Sequence, residues 1–237
     1  MPVTRTRPRR GTPDRRIGSL LRIAALASLL LASGCQSVWS WGYNFYGEVG
    51  NGTTVNQLSP LDLDPGWVDV SAGEQHTVAV RSDGSIWAWG YNAYGQLGQG
   101  DSVNRLTPAR VGSGSNWVHV SAGFGHTVAL RTDGTLWAWG FNAWGQLGDG
   151  TNTDRSTPVQ VGSADDWTSV VAGWGYTVAI KDDGTLWAWG LNTHGQLGDG
   201  TTANRLTPAQ VPIGGSWATV AAGVSRTVAI RTDGTLW

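Results

Sequence analysis

Four histidines are the side chains best suited to catalysis or metal binding in this chain of 237 residues. They are His76, His119, His126 and His194, and no pair has the short separation found in histidine-based zinc motifs. His76 and His126 lie fifty residues apart in matching contexts, which indicates a repeat and not a site. No glycine-framed serine nucleophile accompanies them. We therefore expect structural or exposed roles for the histidines and predict that the chain is not an enzyme.

The acidic and glycine-rich segments also give no reactive site. Asp149 and Asp199 share a repeated position with Asn51 and Gln99, which does not support a repeated calcium loop. The glycine-rich run 145–150 lacks the Gly-Lys-Ser/Thr ending of a phosphate-binding loop. We predict no metal and no cofactor. Arginines recur at one further position, where we expect them to hold a loop: Arg105, Arg155 and Arg205, with Gln57 in the first unit.

Composition and charge exclude several classes of protein. The chain has 35 glycines, which would weaken helices, and a single cysteine, which excludes an internal disulfide framework. Residues 1–34 contain seven arginines and one aspartate, whereas the rest contains nine basic and 16 acidic side chains. The body therefore carries a net charge of about −7, which repels phosphate backbones. We predict no nucleic-acid partner.

The first 34 residues have the pattern of an export signal. The arginine-rich segment 1–22 precedes the apolar run 23–31 (IAALASLLL), which is too short to span a bilayer that needs about 20 residues. The following Leu31-Ala32-Ser33-Gly34-Cys35 resembles the lipobox of bacterial lipoproteins, although Ala32 stands where leucine is usual. The resemblance implies a signal peptide over 1–34, lipid attachment at Cys35 and a tether over 35–37.

This leader predicts an exported protein, anchored by lipid to the outer membrane or cell surface. The alternative is an ordinary secreted protein in which Cys35 is incidental.

The body, residues 38–237, is a repeat of about fifty residues. Tryptophans recur at 87, 137, 187 and 237, and again at 67, 117, 167 and 217. In the unit ending at Trp137 and its continuation, four short strands are predicted, over 117–120, 127–130, 135–140 and 157–161. Asp133-Gly134 predicts a two-residue hairpin between the second and third strands. Four strands per fifty residues indicate an all-β fold, a β-propeller of about four units with four-stranded blades.

The unit resembles the regulator of chromosome condensation repeat. The resemblance is carried by Leu136-Trp137-Ala138-Trp139-Gly140-Phe141-Asn142, by Gly145-Gln146-Leu147-Gly148, and by Ala122-Gly123 followed by His126-Thr127. It implies a β-propeller that usually has seven blades. Because about four units are present here, we expect a partial ring, with a small closed ring as the alternative.

Repeated positions separate scaffold from candidate surface. Thirteen of the 15 tryptophans lie in repeated columns and are predicted to form the blade core. The other two, Trp144 and Trp174, lie in predicted loops and in columns that vary while staying rich in aromatic residues. These columns give the candidate binding residues, with local loop packing as the competing interpretation: Tyr46, Tyr94, Trp144 and His194, and Glu74, Phe124 and Trp174.

The sequence thus predicts a non-catalytic, exported, membrane-anchored scaffold that binds another protein through its blade loops. A glycan-binding surface module is one alternative, because aromatic faces stack on sugar rings. Guanine-nucleotide exchange is a second alternative, implied by the resemblance alone and disfavoured by the export signal.

Overall fold

The computed structural model describes residues 37–237, so the predicted signal peptide and Cys35 lie outside the described residues. This part of the chain contains strands and turns, and no helix in it could span a membrane. The strands are β1 (Ser37–Gly42), β2 (Gln57–Pro65), β3 (Trp67–Ala72), β4 (His76–Arg81), β5 (Ile86–Gly90), β6 (Arg105–Arg110), β7 (Trp117–Ala122), β8 (His126–Arg131), β9 (Leu136–Gly140), β10 (Arg155–Gln160), β11 (Trp167–Ala172), β12 (Tyr176–Lys181), β13 (Leu186–Gly190), β14 (Arg205–Gln210), β15 (Trp217–Ala222) and β16 (Thr227–Arg231).

The strands form a series of antiparallel sheets, each made from consecutive strands. Three sheets have four strands, β3 to β6, β7 to β10 and β11 to β14, and the two-stranded sheets β1–β2 and β15–β16 flank them. Within residues 37–237 the first and last sheets share no paired strands, so the series is open. The predicted all-β fold with four-stranded propeller blades is confirmed, and the sheets form a partial ring.

The four strands of a blade have different environments. The first strands, β3, β7, β11 and β15, contact one another from sheet to sheet and form the inner edge. The second strand is buried on both faces, as Val128, Ala129 and Leu130 of β8 show. The fourth strand pairs on one side only, so β10 accommodates Pro158, which cannot donate to a second neighbour.

The hairpin between β8 and β9 has three loop residues, where the sequence predicted two. The Arg131 amide donates to the Thr135 carbonyl at 3.1 Å, and the Gly134 amide donates to the Arg131 carbonyl at 3.0 Å. Gly134 has a φ of +79°, so the loop is a turn closed by a left-handed glycine. The extra loop residue is Thr132, because Thr135 pairs with Arg131 and not with Thr132.

The hydrophobic core lies between neighbouring sheets. Trp117 and Trp139 of one blade pack with Val78, Ile86 and Leu97 of the blade before it. Each large ring removes about 150–250 Å² from water. At about 25 cal/mol per Å², each such ring stabilises the contact between blades by several kcal/mol.

Seven of the repeated tryptophans are buried as predicted, but the prediction of core positions is wrong for three. Trp39 and Trp41 in β1 are 54% and 60% exposed, and Trp237 is 57% exposed. Trp89 and Trp139, the counterparts of Trp41, are fully buried because the preceding sheet covers them. Trp39 and Trp237 share the column of Trp87, Trp137 and Trp187, which is half-buried in the four-stranded sheets. No sheet among residues 37–237 covers the outer face of β1–β2, so Trp39 and Trp41 face solvent. Trp237 follows β16 in a sheet of two strands, without the fourth strand that flanks its counterparts.

Candidate binding surface

The long loop after the third strand is built around one buried asparagine per unit. Asn142 donates from its side chain to the carbonyls of Thr151 and Thr153 at 2.9 and 3.1 Å. Its side-chain oxygen accepts the Leu147 amide at 3.0 Å. These bonds close the loop into a fixed shape, which sets the position of the ring at Trp144. Asn92 and Asn192 make matching bonds in their own units.

The recurring arginines fix the far side of the same loop, as predicted. Arg155 pairs with Asp149 at 2.7 Å and Arg205 pairs with Asp199 at 2.8 Å. Burial raises the pKa of the Asp199 carboxyl, but hydrogen bonds from Thr201 and Arg205 outweigh it and lower the pKa to about 2. These pairs stabilise loop structure. No cluster of three or more metal-ligating side chains occurs in the described part of the chain.

In the second unit the ion pair uses a different acid. Arg105 pairs with Asp101 at 2.6 Å, because Gln99 occupies the position that Asp149 holds in the next unit.

Two of the histidines link neighbouring blades. The Thr127 hydroxyl donates to the Gln96 carbonyl at 2.9 Å, so the His76 ring nitrogen Nε2 must donate to Thr127, 3.0 Å away. His126 and Thr177 repeat the arrangement at 3.1 Å. Burial lowers the pKa of His76 to about 4, and burial together with the charge of His76 lowers that of His126 to about 3. Both rings are therefore neutral and structural, as expected from the sequence.

His119 also has a structural position, on the inner edge. Its Nδ1 lies 2.9 Å from the Asp69 carboxylate of the preceding blade, and its Nε2 lies 3.1 Å from the Val170 carbonyl of the following blade. Burial lowers the pKa of His119, but the Asp69 carboxylate outweighs burial, and the net pKa is raised.

The loops of each blade lie at two opposite ends. The loop between the first and second strands and the long loop after the third strand share one end, because the strands alternate in direction. We call it the belt end. The Asp-Gly hairpins and the connections between sheets share the other end, which we call the turn end. At the turn end a cation lies between two tryptophans in each unit, as Arg131 does between Trp117 and Trp137 at 4.4 and 3.9 Å.

The predicted aromatic residues meet in one continuous surface at the belt end. Consecutive ring centroids lie 4.6 to 6.4 Å apart through nine side chains. We call these residues the aromatic belt: Tyr43, Phe45, Tyr46, Tyr91, Tyr94, Phe141, Trp144, Trp174 and Phe124. The spacing is that of favourable offset and edge-to-face aromatic pairs. Five of the seven predicted site residues thus lie in one structure that crosses several units.

The belt rings rest on the backbone of the next unit. A Cβ atom at Gly175 would lie 2.6 Å from the Trp144 ring, and one at Gly125 would lie 3.2 Å from the Tyr94 ring. These two rings are thereby packed on one face and stay half-buried, whereas Tyr43 and Phe45 at the start of the belt are exposed. Burial raises the pKa of the Tyr91 phenol, and its neighbours Tyr94 and Tyr46 raise it further.

The remaining two predicted residues lie beside the belt. Glu74 and His194 are exposed, and neither makes a ring contact with the belt. Glu74 stands in the same loop position as Phe124 and Trp174, and its amide donates to the Gly123 carbonyl at 3.2 Å. The His194 ring shares a hydrogen bond with its neighbour Thr193, at 3.1 Å.

A third column of belt residues was missed in the sequence. Tyr43, Tyr91 and Phe141 directly follow the repeated Trp-Gly pair, and Leu191 holds this position in the last unit. Tyr91 and Phe141 each join successive rings of the first predicted column, as Phe141 does between Tyr94 at 4.7 Å and Trp144 at 5.0 Å. Tyr43 contacts Phe45. The signal was available, because this position varies while staying aromatic in three of four units.

Comparison with solved structures shows the same fold at low sequence identity. Prp20p from Saccharomyces cerevisiae is 21% identical with a TM-score of 0.74, over 81% of this chain and 51% of that one. In a structure of Kap60 bound to yeast RCC1 (Prp20), the matching chain is 21% identical with a TM-score of 0.72, over 82% of this chain and 50% of that one. Human WBSCR16 is 20% identical with a TM-score of 0.57, over 82% of this chain and 67% of that one. The chain therefore spans about half the length of the yeast protein.

Family models match the repeat directly. The model described as the regulator of chromosome condensation (RCC1) repeat matches residues 37–80, 83–130, 133–180 and 183–230. A second model with the same description matches residues 67–96, 117–146 and 167–196. The segments matched by the first model cover most of the chain. Each of them from residue 83 onward begins before the third strand of one sheet and ends in the second strand of the next. The chain belongs to the regulator of chromosome condensation (RCC1) repeat family.

Proposed function

We propose that this chain is a non-catalytic scaffold that binds a protein partner through the aromatic belt. The single observation that carries the proposal is the continuity of the belt. Nine aromatic side chains contact one another in series across the belt end, although they come from four separate repeat columns. Tyrosine and tryptophan are enriched at protein interfaces and dominate their binding energy.

The contrast between constant and variable positions supports this surface. The positions that lock the blades carry the same residue types in successive units, as Trp89, Trp139 and Trp189 do. The belt positions change between units, with Tyr94, Trp144 and His194 in one column. Binding residues usually lie on loops that vary in sequence and are held by a rigid scaffold.

The solved relatives are consistent with a protein partner. The yeast protein Prp20p is described by its binding to Gsp1p and histones, and a second structure contains Kap60 bound to it. Their identity to this chain is 21%, so the shared fold supports a binding role but names no partner.

We also propose that the scaffold is exported and held at the cell envelope by lipid on Cys35. The support is the order of arginine-rich, apolar and small residues before this single cysteine. Stable anchoring requires more than one acyl chain, because one chain binds membranes only marginally. In the full-length protein, Cys35→Ala should shift the chain from the detergent-released membrane fraction to the soluble fraction. Equal distribution of both proteins would contradict the anchor.

Site-specific photocrosslinking in the native cell tests the binding surface. A photoreactive residue at position 94 or 144 should capture one discrete protein, whereas one at position 163 or 182, at the turn end, should not. The captured protein is then purified and titrated against the scaffold and against a variant with Trp144→His and Trp174→Val. These replacements are residues that His194 and Val224 already supply at the equivalent positions, so the fold is preserved.

We expect the double variant to bind the captured protein at least tenfold more weakly, as loss of interface tryptophans usually does. Asp182→Asn, an exposed change at the turn end, should leave the affinity unchanged. Equal capture at both ends, or unchanged affinity of the double variant, would contradict the proposal. Binding of isolated glycans that is lost in the double variant would instead favour the glycan-binding alternative.

A further inference from the structure

The inner loops of the belt end surround a shallow cavity that the belt itself does not fill. Its volume is about 450 Å³, within the range of about 300–1,000 Å³ that is typical of binding pockets. The floor is formed by the alanine and glycine that end each inner strand, such as Ala122 and Gly123. The rim carries one residue from each successive unit: Glu74, Phe124, Trp174 and Val224.

The rim is held in place by backbone bonds between units. The Glu74 amide donates to Gly123, the Phe124 amide to Trp174, and the Trp174 amide to Gly223, at 3.2 to 3.3 Å. The glycines permit this approach, because a Cβ at Gly123 would lie 2.4 Å from the Gly173 carbonyl oxygen. The four rim side chains therefore project from a rigid frame.

The chemistry of the rim combines aromatic faces with one carboxylate. Phe124 and Trp174 lie with their centroids 4.7 Å apart, and both line the cavity. Glu74 is exposed, and its carboxylate makes no ion pair or hydrogen bond with another described residue. Aromatic faces and a carboxylate are the two groups that attract a cationic side chain.

The wider charge distribution favours the same ligand. Residues 37–237 contain 16 acidic and nine basic side chains. Seven of the nine basic groups are already engaged within the chain: Arg105, Arg155 and Arg205 in ion pairs, and Arg81, Arg131, Lys181 and Arg231 between tryptophans. A field of this sign draws basic partners toward the surface and repels acidic ones.

We propose that the cavity receives an arginine or lysine side chain of the protein partner, with Glu74 as its counter-ion and Phe124 and Trp174 as its aromatic walls. This inference rests on the proposed function, since it names the kind of residue that the partner presents at the belt end. Arginine is itself enriched at the centres of interfaces, where its guanidinium stacks on aromatic rings.

Small cationic probes test the cavity without the partner. N-acetyl-arginine methylamide is titrated into the ¹⁵N-labelled protein, and the indole signal of Trp174 is followed, assigned by its loss in Trp174→Val. The uncharged citrulline analogue serves as the matched probe. We expect the arginine probe to shift this signal with an affinity about fivefold higher than the citrulline probe.

Glu74→Gln should reduce arginine binding to the citrulline level, whereas Asp182→Asn, which removes an equal charge at the turn end, should not. Equal affinity of the two probes, no shift with either, or unchanged arginine binding in Glu74→Gln would overturn the inference.

The captured partner separates this inference from the proposed function. If the Trp144→His, Trp174→Val double variant no longer binds the partner and Glu74→Gln binds it with full affinity, the belt is the interface. The inference that the cavity receives a basic side chain is then wrong. If neither variant lowers the affinity for the partner, both proposals fail.

Discussion

The indole nitrogen Nε1 of Trp139 donates a hydrogen bond of 2.9 Å to the backbone carbonyl of Gln96, which lies in the preceding repeat unit. Trp189 makes the same bond to Gln146 at 3.0 Å, and Trp89 makes it to Glu48 at 2.8 Å. Each long loop is thus fastened from below by the next blade. Because the belt residues stand on these loops, the core tryptophans position the binding surface.

The Gln96 carbonyl gives the first prediction, because it also accepts the Thr127 hydroxyl. Thr127→Val keeps the shape but removes this donor and the acceptor for His76. We expect a loss of about 2–3 kcal/mol in the free energy of unfolding, measured with urea, because two buried hydrogen bonds disappear. Thr132→Val, at an exposed turn position, is the control and should change stability by less than about 0.5 kcal/mol. Equal effects of the two changes would contradict a stabilising role for the hydrogen bonds of Thr127.

The second prediction concerns the glycine beneath the indole. Gly98 has a φ of +73°, and a Cβ there would lie 2.7 Å from Trp139 Nε1. Gly112 has a φ of +60° with no atom within 4 Å of its Cβ position. Gly112→Ala should cost only the backbone strain, about 1 kcal/mol, whereas Gly98→Ala should cost at least twice as much. Thermal unfolding of both variants measures the difference, and similar losses would exclude steric locking.

The scaffold could be predicted well from the sequence because the same pattern of strands, turns and tryptophans recurs in each blade. The period, the four strands and the core tryptophans follow from spacing alone, since an isolated blade cannot bury its faces. The predicted hairpin length was wrong because Thr135 pairs with Arg131 and not with Thr132, which places Thr132 in the turn. The exposure of Trp41 could not be read from its column, because burial depends on a neighbouring sheet and not on the residue. The belt was only half predicted, since contact between Tyr91 and Tyr94 depends on how the loops fold.

The buried histidines give a third prediction, a loss of stability in mild acid. The pKa of His76 is lowered to about 4 and that of His126 to about 3, so the unfolded chain takes up protons near pH 6.5 before the folded chain does. The contribution of these neutral histidines to the free energy of unfolding is complete above that pH and is lost as the pH falls. For His76 alone, the decrease to pH 4 is roughly 3 kcal/mol.

Urea unfolding at several pH values between 7 and 4 measures this decrease. His119, whose pKa is raised, changes stability only above about pH 6.5. His126→Tyr should flatten the dependence, because Tyr176 occupies the equivalent position and does not titrate in this range. An equally steep decrease in the variant would refute the role of His126.

The loop ion pairs give a fourth prediction. The Asp149 side chain is 8% exposed and pairs with Arg155, whereas the first unit has Asn51 and Gln57 at these positions. Arg155→Gln alone leaves a nearly buried carboxylate without its cation and should cost about 1–2 kcal/mol. Adding Asp149→Asn should restore part of that stability, because it recreates the pair found in the first unit. Strictly additive losses in this double-mutant cycle would contradict a direct interaction.

Hydrogen exchange with and without the captured partner tests the central claim most directly. The account predicts that the partner slows exchange in the belt-end loops, residues 91–94, 123–125, 141–144 and 173–175. It predicts no change in the turn-end segments 82–84, 112–116, 132–134 and 182–184. Protection of the turn end, with the belt loops exchanging as fast as in the free protein, would show that the aromatic belt is loop packing and not the binding surface.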